Sequence, residues 1–281
     1  MASEFMLAGG GADLTESTRK IVPLEQSTVP FRLYNGYTII AQGTIGGLTS
    51  QNLLIDTGAS PTIIDQRAAD KLGLKRELAK LALFNRNVPA QNAVVKNVVF
   101  GPVHRDILPV LVADLSSIER QLKLRVDAII GLDLIGERSF SIDYKHKLIS
   151  FGAAQDSQEV PFSSGPPFIT VAIKIANRPM RLLVDTGTFG LMLFGSQVRG
   201  LDAEMTKVNG SSHNIGGRFR YQTMVVPAAK LGRVNFGQQY VSVVDDQLDW
   251  GRQFDGLMGI PFLHPSRISF NFERNTFGWS H

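Results

Sequence analysis

Two short motifs of the sequence place an aspartate at the end of an apolar run and follow it with Thr and Gly. The first is LLIDTGAS, which contains Asp56, and the second is LLVDTGTF, which contains Asp185. Burying one carboxylate is costly, and an isolated buried one takes up a proton. Two neighbouring carboxylates instead share a proton, so that one is a base while the other is an acid. Such a pair can activate a water molecule and protonate a leaving amine.

The residues after each aspartate suit such a pair. Gly58 and Gly187 permit backbone conformations that are closed to other residues, and they let amide groups approach a carboxylate. Thr57 and Thr186 carry hydroxyls that can hydrogen-bond to the opposite motif and lock the two loops together.

The two loops differ after their glycines. The first continues with Ala59 and Ser60, and the second with Thr188 and Phe189. Ser60 is placed to hydrogen-bond Asp56, whereas Phe189 stands in the equivalent place of the second loop. We therefore expect the two carboxylates to have unequal surroundings.

The chain repeats itself around these motifs. Residues Ile40–Ala59 align without a gap to Ile169–Thr188, and Val126–Phe151 align without a gap to Phe254–Trp279. Both halves are rich in short apolar runs separated by Gly, Asn and Pro turns, which is typical of β-strands. The repetition predicts two similar, mostly-β lobes.

Helical periodicity is brief, around Ile63–Leu74 and around Ser117–Leu124. We expect a tail at residues 1–28, an N-terminal lobe at 29–154, a linker at 155–165 and a C-terminal lobe at 166–281. The polar and Pro-rich composition of Ala153–Pro167 indicates the linker.

Each half also repeats an element of Asp, a small residue, two apolar residues and Gly. These elements are Asp127–Gly131 and Asp255–Gly259. Repetition makes a functional role for Asp127 and Asp255 tempting, but a turn or a backbone hydrogen bond explains these residues better.

The paired motifs resemble the active-site signatures of aspartic proteases, at Asp56-Thr57-Gly58-Ala59 and Asp185-Thr186-Gly187-Thr188. Ile129–Gly131 and Leu257–Gly259 resemble the second signature of that family, which packs behind each loop. FDGLMG is close to the pepsin-like form, and DTGAS is closer to the retropepsin-like form. The resemblance covers residues 30–281.

The resemblance implies an all-β fold of two homologous pepsin- or retropepsin-type lobes, related by a pseudo-twofold axis, with only short helices. It implies hydrolysis of peptide bonds by a water held between Asp56 and Asp185, with no covalent intermediate. Residues Thr57, Gly58, Ala59, Ser60, Thr186, Gly187 and Thr188 would support the two loops. No metal and no cofactor is implied. Since both halves lie in one chain, a monomer is expected to suffice for binding a peptide or protein substrate in the cleft between the lobes.

The family also covers its cleft with one or two β-hairpin flaps. By position, the first is expected near Leu83–Val95, which lacks the Tyr that pepsin-like flaps usually carry. The second is expected near Ser211–Thr223, with its tip at Gly216-Gly217. Phe219 and Tyr221 are candidate substrate contacts, and ordinary hairpin roles fit them equally well.

Composition argues against several other classes of function. The 281-residue chain contains no cysteine, which rules out disulfides, thiol nucleophiles and thiolate metal sites. Its net charge is +4 with Lys and Arg scattered, so no nucleic-acid surface is indicated. The five histidines show no metal-ligand spacing. No apolar run reaches the roughly 18–20 residues of a membrane helix.

The N-terminal sequence MASEFM is typical of residues added during cloning. The small residues after Met6 are compatible with the remains of a removed signal peptide. That interpretation favours a periplasmic or secreted protein.

The sequence is also compatible with functions other than a general endopeptidase. A peptide-binding protein that kept the fold and lost turnover is compatible with the unequal loops. A processing enzyme that cuts one partner is also compatible, because specificity lies in pocket shape. A glycosidase also uses two carboxylates, but it does not need repeated Thr-Gly turns.

Overall fold

The computed structural model describes residues 28–136, 138–165, 168–245 and 253–281. Nearly all of the tail expected at residues 1–28 lies outside these ranges. The described chain consists mostly of strands with a few short helices, as the sequence predicted.

The first half of the described chain alternates short and long strands with three short helices. The strands are β1 (Thr28–Tyr34), β2 (Thr38–Ile45), β3 (Leu48–Ile55), β4 (Ile63–Asp65), β5 (Glu77–Ala82), β6 (Asn87–Phe100), β7 (Val103–Ala113), β8 (Ala128–Ile130), β9 (Phe140–Asp143) and β10 (Leu148–Phe151). The helices are α1 (Gln66–Lys71), α2 (Ser116–Leu122) and α3 (Leu132–Ile135). They fall where brief helical periodicity was predicted and in the segment after Gly131.

The second half repeats the strand pattern. Its strands are β11 (Gln158–Gly165), β12 (Phe168–Ile175), β13 (Arg178–Asp185), β14 (Leu191–Phe194), β15 (Glu204–Asn214), β16 (Gly217–Val226), β17 (Ala229–Leu231), β18 (Val234–Asn235), β19 (Gln239–Val244), β20 (Gly256–Gly259), β21 (Arg267–Asn271) and β22 (Thr276–Ser280). Single turns of 3₁₀ helix occupy Gly195–Gln197 and Ile260–Leu263.

The strands that lead to the two DTG motifs become more buried toward their C-terminal ends. In β3 and β13 most of the early residues are exposed or half-exposed, and the last three or four residues are buried. The buried ends run parallel to β8 and β20, respectively. Parallel neighbours covered on both faces favour continuous apolar runs, which is what Leu-Leu-Ile and Leu-Leu-Val provide.

The same local topology occurs in each half. Strand β4 is antiparallel to β8 and parallel to β7, and β14 is antiparallel to β20 and parallel to β19. This identity of pairing gives the molecule its pseudo-twofold symmetry.

One six-stranded antiparallel sheet joins the two halves, in the order β1-β10-β9-β21-β22-β11. The pseudo-twofold axis passes between β9 and β21, where Ile142 pairs with Ile268 and Phe140 pairs with Phe270. The rings of Phe140 and Phe270 stack with centroids 4.8 Å apart. Both are fully buried, so the joint between the halves is part of the hydrophobic core.

Most of the segment predicted as a linker, residues 155–165, is strand β11. Its residues 158–161 pair with β22 in this shared sheet, and its residues 162–165 pair with β12 of the second half. Val160 and Phe162 are buried. The segment between the halves is therefore a strand that passes from the shared sheet into the second half, and its two apolar side chains reach the core.

Candidate active site

Each DTG aspartate is held at the end of a buried strand. The amide of Asp56 donates to the carbonyl of Ile130 on β8 over 3.0 Å. Asp185 is the last residue of β13 and pairs with Gly259 on β20. The apolar-Gly elements singled out in the sequence thus pack directly beside the two aspartates and fix their backbones.

The glycine two residues after each aspartate is required by the small space between the loops. The amides of Gly58 and Gly187 donate to Oδ1 of Asp56 and Asp185 over 2.8 and 2.7 Å. A Cβ atom on Gly58 would lie 2.7 Å from Cγ of Asp185, and one on Gly187 would lie 2.8 Å from Oδ2 of Asp56. Each carboxyl therefore lies against the opposite loop, which brings the two aspartates face to face.

The two threonines hold the loops together through four reciprocal hydrogen bonds. Thr57 Oγ1 donates to the carbonyl of Val184 over 2.8 Å and accepts from the amide of Thr186 over 3.1 Å. Thr186 Oγ1 donates to the carbonyl of Ile55 over 3.0 Å and accepts from the amide of Thr57 over 3.0 Å. These are the hydrogen bonds between loops that the sequence predicted. Because both threonines are buried, water does not compete for them.

The two carboxyls receive different numbers of hydrogen bonds. The hydroxyl of Thr188 donates to Oδ2 of Asp185 over 2.7 Å, in addition to the bond from the amide of Gly187. Ala59 occupies the place of Thr188 in the first loop. Ser60 lines the cleft, and no hydrogen bond to Asp56 is seen for it in the described ranges. It comes four residues after its aspartate, whereas Thr188 comes three residues after, so the hydroxyl expected on the first loop is present on the second.

The surroundings of Asp56 change its acidity. Burial raises the pKa of Asp56 well above the usual range of an aspartic acid. The charge of Asp185 and a hydrogen bond between the two carboxyls raise that pKa further, and the amide of Gly58 opposes them. A raised pKa favours the protonated form of Asp56, and two carboxyls this close share one proton.

Asp127 and Asp255 have the structural role that the sequence favoured. Asp127 accepts from the amide of Asn52 over 2.9 Å, and Asp255 accepts from the amide of Arg181 over 2.7 Å. Asn52 and Arg181 each stand four residues before an aspartate of the pair. These buried or half-buried acids therefore hold in place the strands that lead into the site.

A further supporting acid, Asp133, was not predicted. Its carboxylate accepts from the amide and the hydroxyl of Thr62, both over 2.8 Å, and the hydroxyl of Thr62 accepts from the amide of Gly131. Pro261 stands at the corresponding position of the second half. Comparing the two repeats for charged residues that occur in only one of them would have identified it.

Two hairpins cover the site. The first consists of β5 and β6, and its connection is closed by the amide of Leu83 donating to the carbonyl of Arg86. Strand β5 lies wholly before the segment expected for this flap, Leu83–Val95. The second consists of β15 and β16, with a turn at Ile215-Gly216 instead of the expected Gly216-Gly217, because Asn214 pairs with Gly217.

The two flaps meet at their tips. The rings of Phe84 and Phe219 pack edge to face with centroids 5.1 Å apart. The guanidinium of Arg86 donates to the carbonyls of Gly216 and Arg218 over 3.5 Å each. A paired arrangement of this kind was one of the two that the sequence left open.

A cleft of about 430 Å³ lies between the flaps and the two aspartates. One wall is mainly aliphatic and comes from the first half: Leu54, Ile63, Leu81, Ile118, Leu122 and Ile129. The opposite wall is richer in aromatic rings: Phe168, Leu183, Met192, Phe219, Phe254 and Leu257. Both candidate contacts of the second flap, Phe219 and Tyr221, line this cleft.

Tyr37 also lines the cleft, and sequence reasoning missed it. It follows the turn Asn35-Gly36, whose φ angles of 50° and 78° are those of a tight hairpin between β1 and β2. The Asn-Gly pair is a strong hairpin signal, so the sequence did contain a pointer to this position.

Among the described residues, no group of three or more His, Asp or Glu side chains is placed to hold a metal ion. None of the helices in that part of the chain has the length and the apolar character needed to span a membrane.

Comparison with known proteins agrees with this architecture. The family model described as aspartyl protease matches residues 41–134 and 171–262, which together make up more than half of the chain. The first match contains Asp56 and β8, and the second contains Asp185 and β20. No curated protein sequence matches the chain. One match in each half is what a duplicated fold requires, and the chain belongs to the aspartyl protease family.

Proposed function

We propose that this protein is an aspartic endopeptidase that hydrolyses peptide bonds with a water held between Asp56 and Asp185. The observation that carries the proposal is the pair of loops related by the pseudo-twofold axis, which presents two carboxyls face to face at the floor of one cleft. Membership of the aspartyl protease family supports a protease-type function.

The roles of the two aspartates follow from their surroundings. Asp185, ionised and held by two donors, takes a proton from the water as its oxygen attacks the carbonyl carbon of the substrate. Asp56, which holds the shared proton, donates it to the carbonyl oxygen. Collapse of the tetrahedral intermediate then breaks the C–N bond, and a proton from the pair goes to the leaving amine. No bond forms between enzyme and substrate.

The remaining loop residues keep this geometry in place before substrate arrives. Thr57 and Thr186 tie the loops together, and Gly58 and Gly187 leave room for the carboxyls and donate to them. Thr188 fixes Asp185, and Ala59 and Ser60 shape the cleft beside Asp56. Rigid loops reduce the reorganisation that the reaction would otherwise require.

The substrate is proposed to be an extended peptide or protein segment that lies under both flaps and contacts Phe219 and Tyr221. The two lobes, residues 29–154 and 166–281, each contribute one aspartate. A single chain therefore contains a complete site, and we propose that the monomer is active.

A peptide-binding protein without turnover is the competing function. The aromatic contact at the tips of the flaps is made by Phe84 and Phe219, and the first flap lacks the Tyr of pepsin-like enzymes. Both carboxyls, both threonines and both glycines are nevertheless in place.

Cleavage of a peptide library, with products identified by mass spectrometry, tests the proposal. Wild type and Asp56→Asn are compared from about pH 3 to pH 8, the range over which a carboxyl pair changes its protonation. We expect wild type to cut, with loss of activity in the variant and inhibition by a statine-type peptide. Cleavage that survives in Asp56→Asn, or that a chelator abolishes, would contradict the proposed mechanism. Retention of peptides without cleavage would favour the competing function.

A further inference from the structure

Phe189 is an exposed aromatic residue beside the proposed catalytic pair. It lies four residues after Asp185, its surface is 66% exposed, and it lines the cleft. A single exposed apolar side chain on a protein surface needs no explanation. Phe189 differs because it stands in a concave wall and is paired with a second ring from the other lobe.

That second ring is Tyr37. The centroids of Tyr37 and Phe189 are 5.7 Å apart and their planes are tilted by 59°. Tyr37 is held by its backbone, which follows a tight hairpin turn, and its hydroxyl lies near the side chains of Thr38 and Gln121. One ring is thus anchored, and the other presents most of its surface to the cleft.

Two tilted rings at this distance form an open corner. A third aromatic ring that enters such a corner finds both edge-to-face and offset contacts, and it also removes apolar surface from water. An anionic or small polar side chain would lose hydration there and meet ring faces that carry negative charge density. The corner thus suits an aromatic side chain of a bound peptide.

Among the described residues, Tyr37 and Phe189 form such a corner on one side of the aspartate pair. In the first loop, the place of Phe189 is taken by Ser60, a small polar residue that also lines the cleft. A peptide bound in the opposite direction would bring the same side chain against serine. The aromatic corner therefore distinguishes the two directions in which an extended peptide can cross a pseudo-symmetric cleft.

We propose that Tyr37 and Phe189 form a subsite that binds an aromatic side chain of the substrate and sets the direction in which the peptide lies. The inference rests on the proposed endopeptidase function and adds a specificity to it. Cut sites are expected to be enriched in Phe, Tyr or Trp at one position within about three residues of the scissile bond, on one side only, given the short reach of an extended chain from Asp185.

The test compares cut-site profiles of wild type, Phe189→Ser and a matched control. Phe189→Ser gives the second loop the residue of the first. Tyr240→Ser removes an aromatic side chain that is 70% exposed and lies outside the residues that line the cleft. We expect Phe189→Ser to lower the preference for aromatic over alanine at that one position about tenfold, which corresponds to one lost aromatic contact. The profile of Tyr240→Ser is expected to match wild type.

A binding measurement separates failure of the subsite from failure of the proposed function. Asp56→Asn, with and without Phe189→Ser, is immobilised and the same peptide library is passed over it. If wild type cuts but Phe189→Ser leaves both the cut-site profile and the retained peptides unchanged, the subsite is wrong and the endopeptidase stands. If wild type cuts nothing, yet aromatic peptides are retained and Phe189→Ser abolishes their retention, the subsite stands without turnover. If nothing is cut and no aromatic peptides are retained, both proposals are wrong.

Discussion

The hydrogen bond from Thr188 leads to a measurable prediction about Asp185, the proposed general base. It donates to Oδ2 of Asp185 over 2.7 Å, at a carboxyl that is only 7% exposed. A hydrogen bond to a charged group contributes about 1.5–3 kcal/mol. Since about 1.4 kcal/mol corresponds to a factor of ten in rate, losing the bond is expected to lower kcat/KM by about one to two orders of magnitude.

The bond acts on activity because it fixes the carboxyl that is proposed to take a proton from the water. In Thr188→Ala that carboxyl keeps the amide of Gly187 as its donor but turns more freely, so it holds the reactive geometry less often. The measurement is kcat/KM for hydrolysis of one quenched fluorescent peptide.

Two matched variants make that experiment decisive. Thr188→Ser keeps a hydroxyl three residues after Asp185 and is expected to keep the wild-type kcat/KM. Ser60→Ala removes a hydroxyl from the other loop and is expected to lower kcat/KM much less than Thr188→Ala does, because no bond from Ser60 to Asp56 is formed in the described ranges. A kcat/KM of Thr188→Ala equal to that of wild type would refute the role of this hydrogen bond in holding Asp185.

Further predictions concern the supports of the site. Thr57→Val leaves the buried carbonyl of Val184 and the buried amide of Thr186 without their partner, so urea unfolding should show a loss of about 2–4 kcal/mol, whereas Thr57→Ser should lose less than about 1 kcal/mol. Equal losses in the two variants would contradict the role of the hydroxyl. Asp156→Ala removes a buried carboxylate that accepts from Arg267, Ser269 and Ser280 in the shared sheet, and is expected to cost about 2 kcal/mol, while the exposed Asp202→Ala changes nothing. A melting temperature of Asp156→Ala equal to wild type would show that this contact does not hold the sheet. Arg86→Ala loses the bonds between the flap tips and is expected to speed hydrogen exchange there and raise KM, with Lys80→Ala on the same hairpin as control. Unchanged exchange in Arg86→Ala would mean that the aromatic contact of Phe84 and Phe219 alone holds the flaps.

Much of the site could be predicted because its chemistry is local in sequence. Asp56, Thr57 and Gly58 are consecutive, and the second half repeats the same pattern from Asp185 onward. A duplicated motif has to be explained by a structure in which the two copies meet, so even the hydrogen bonds across the loops follow from the repeat.

The parts that sequence reasoning missed depend on how distant segments approach each other. The hydroxyl of Thr188 reaches Asp185 because it lies three residues after that aspartate. The residue type alone does not show which hydroxyl will reach a carboxyl. Tyr37 lies nineteen residues before Asp56 in the sequence, and the hairpin between β1 and β2 brings it to the cleft. The strand conformation of the predicted linker, β11, was not predicted, because polar residues dominate its composition, although Val160 and Phe162 alternate correctly for one buried face.

The central claim, that Asp56 and Asp185 act as one catalytic pair in a single chain, is tested most directly by isosteric replacement. Turnover of one defined peptide is measured for wild type, Asp56→Asn and Asp185→Asn, with folding of each variant checked by its melting curve. The account predicts that each replacement lowers kcat by about 10³-fold or more, and that the double variant is scarcely worse than either, since members of a catalytic unit are not additive. Retention of near wild-type turnover by either single variant would contradict it.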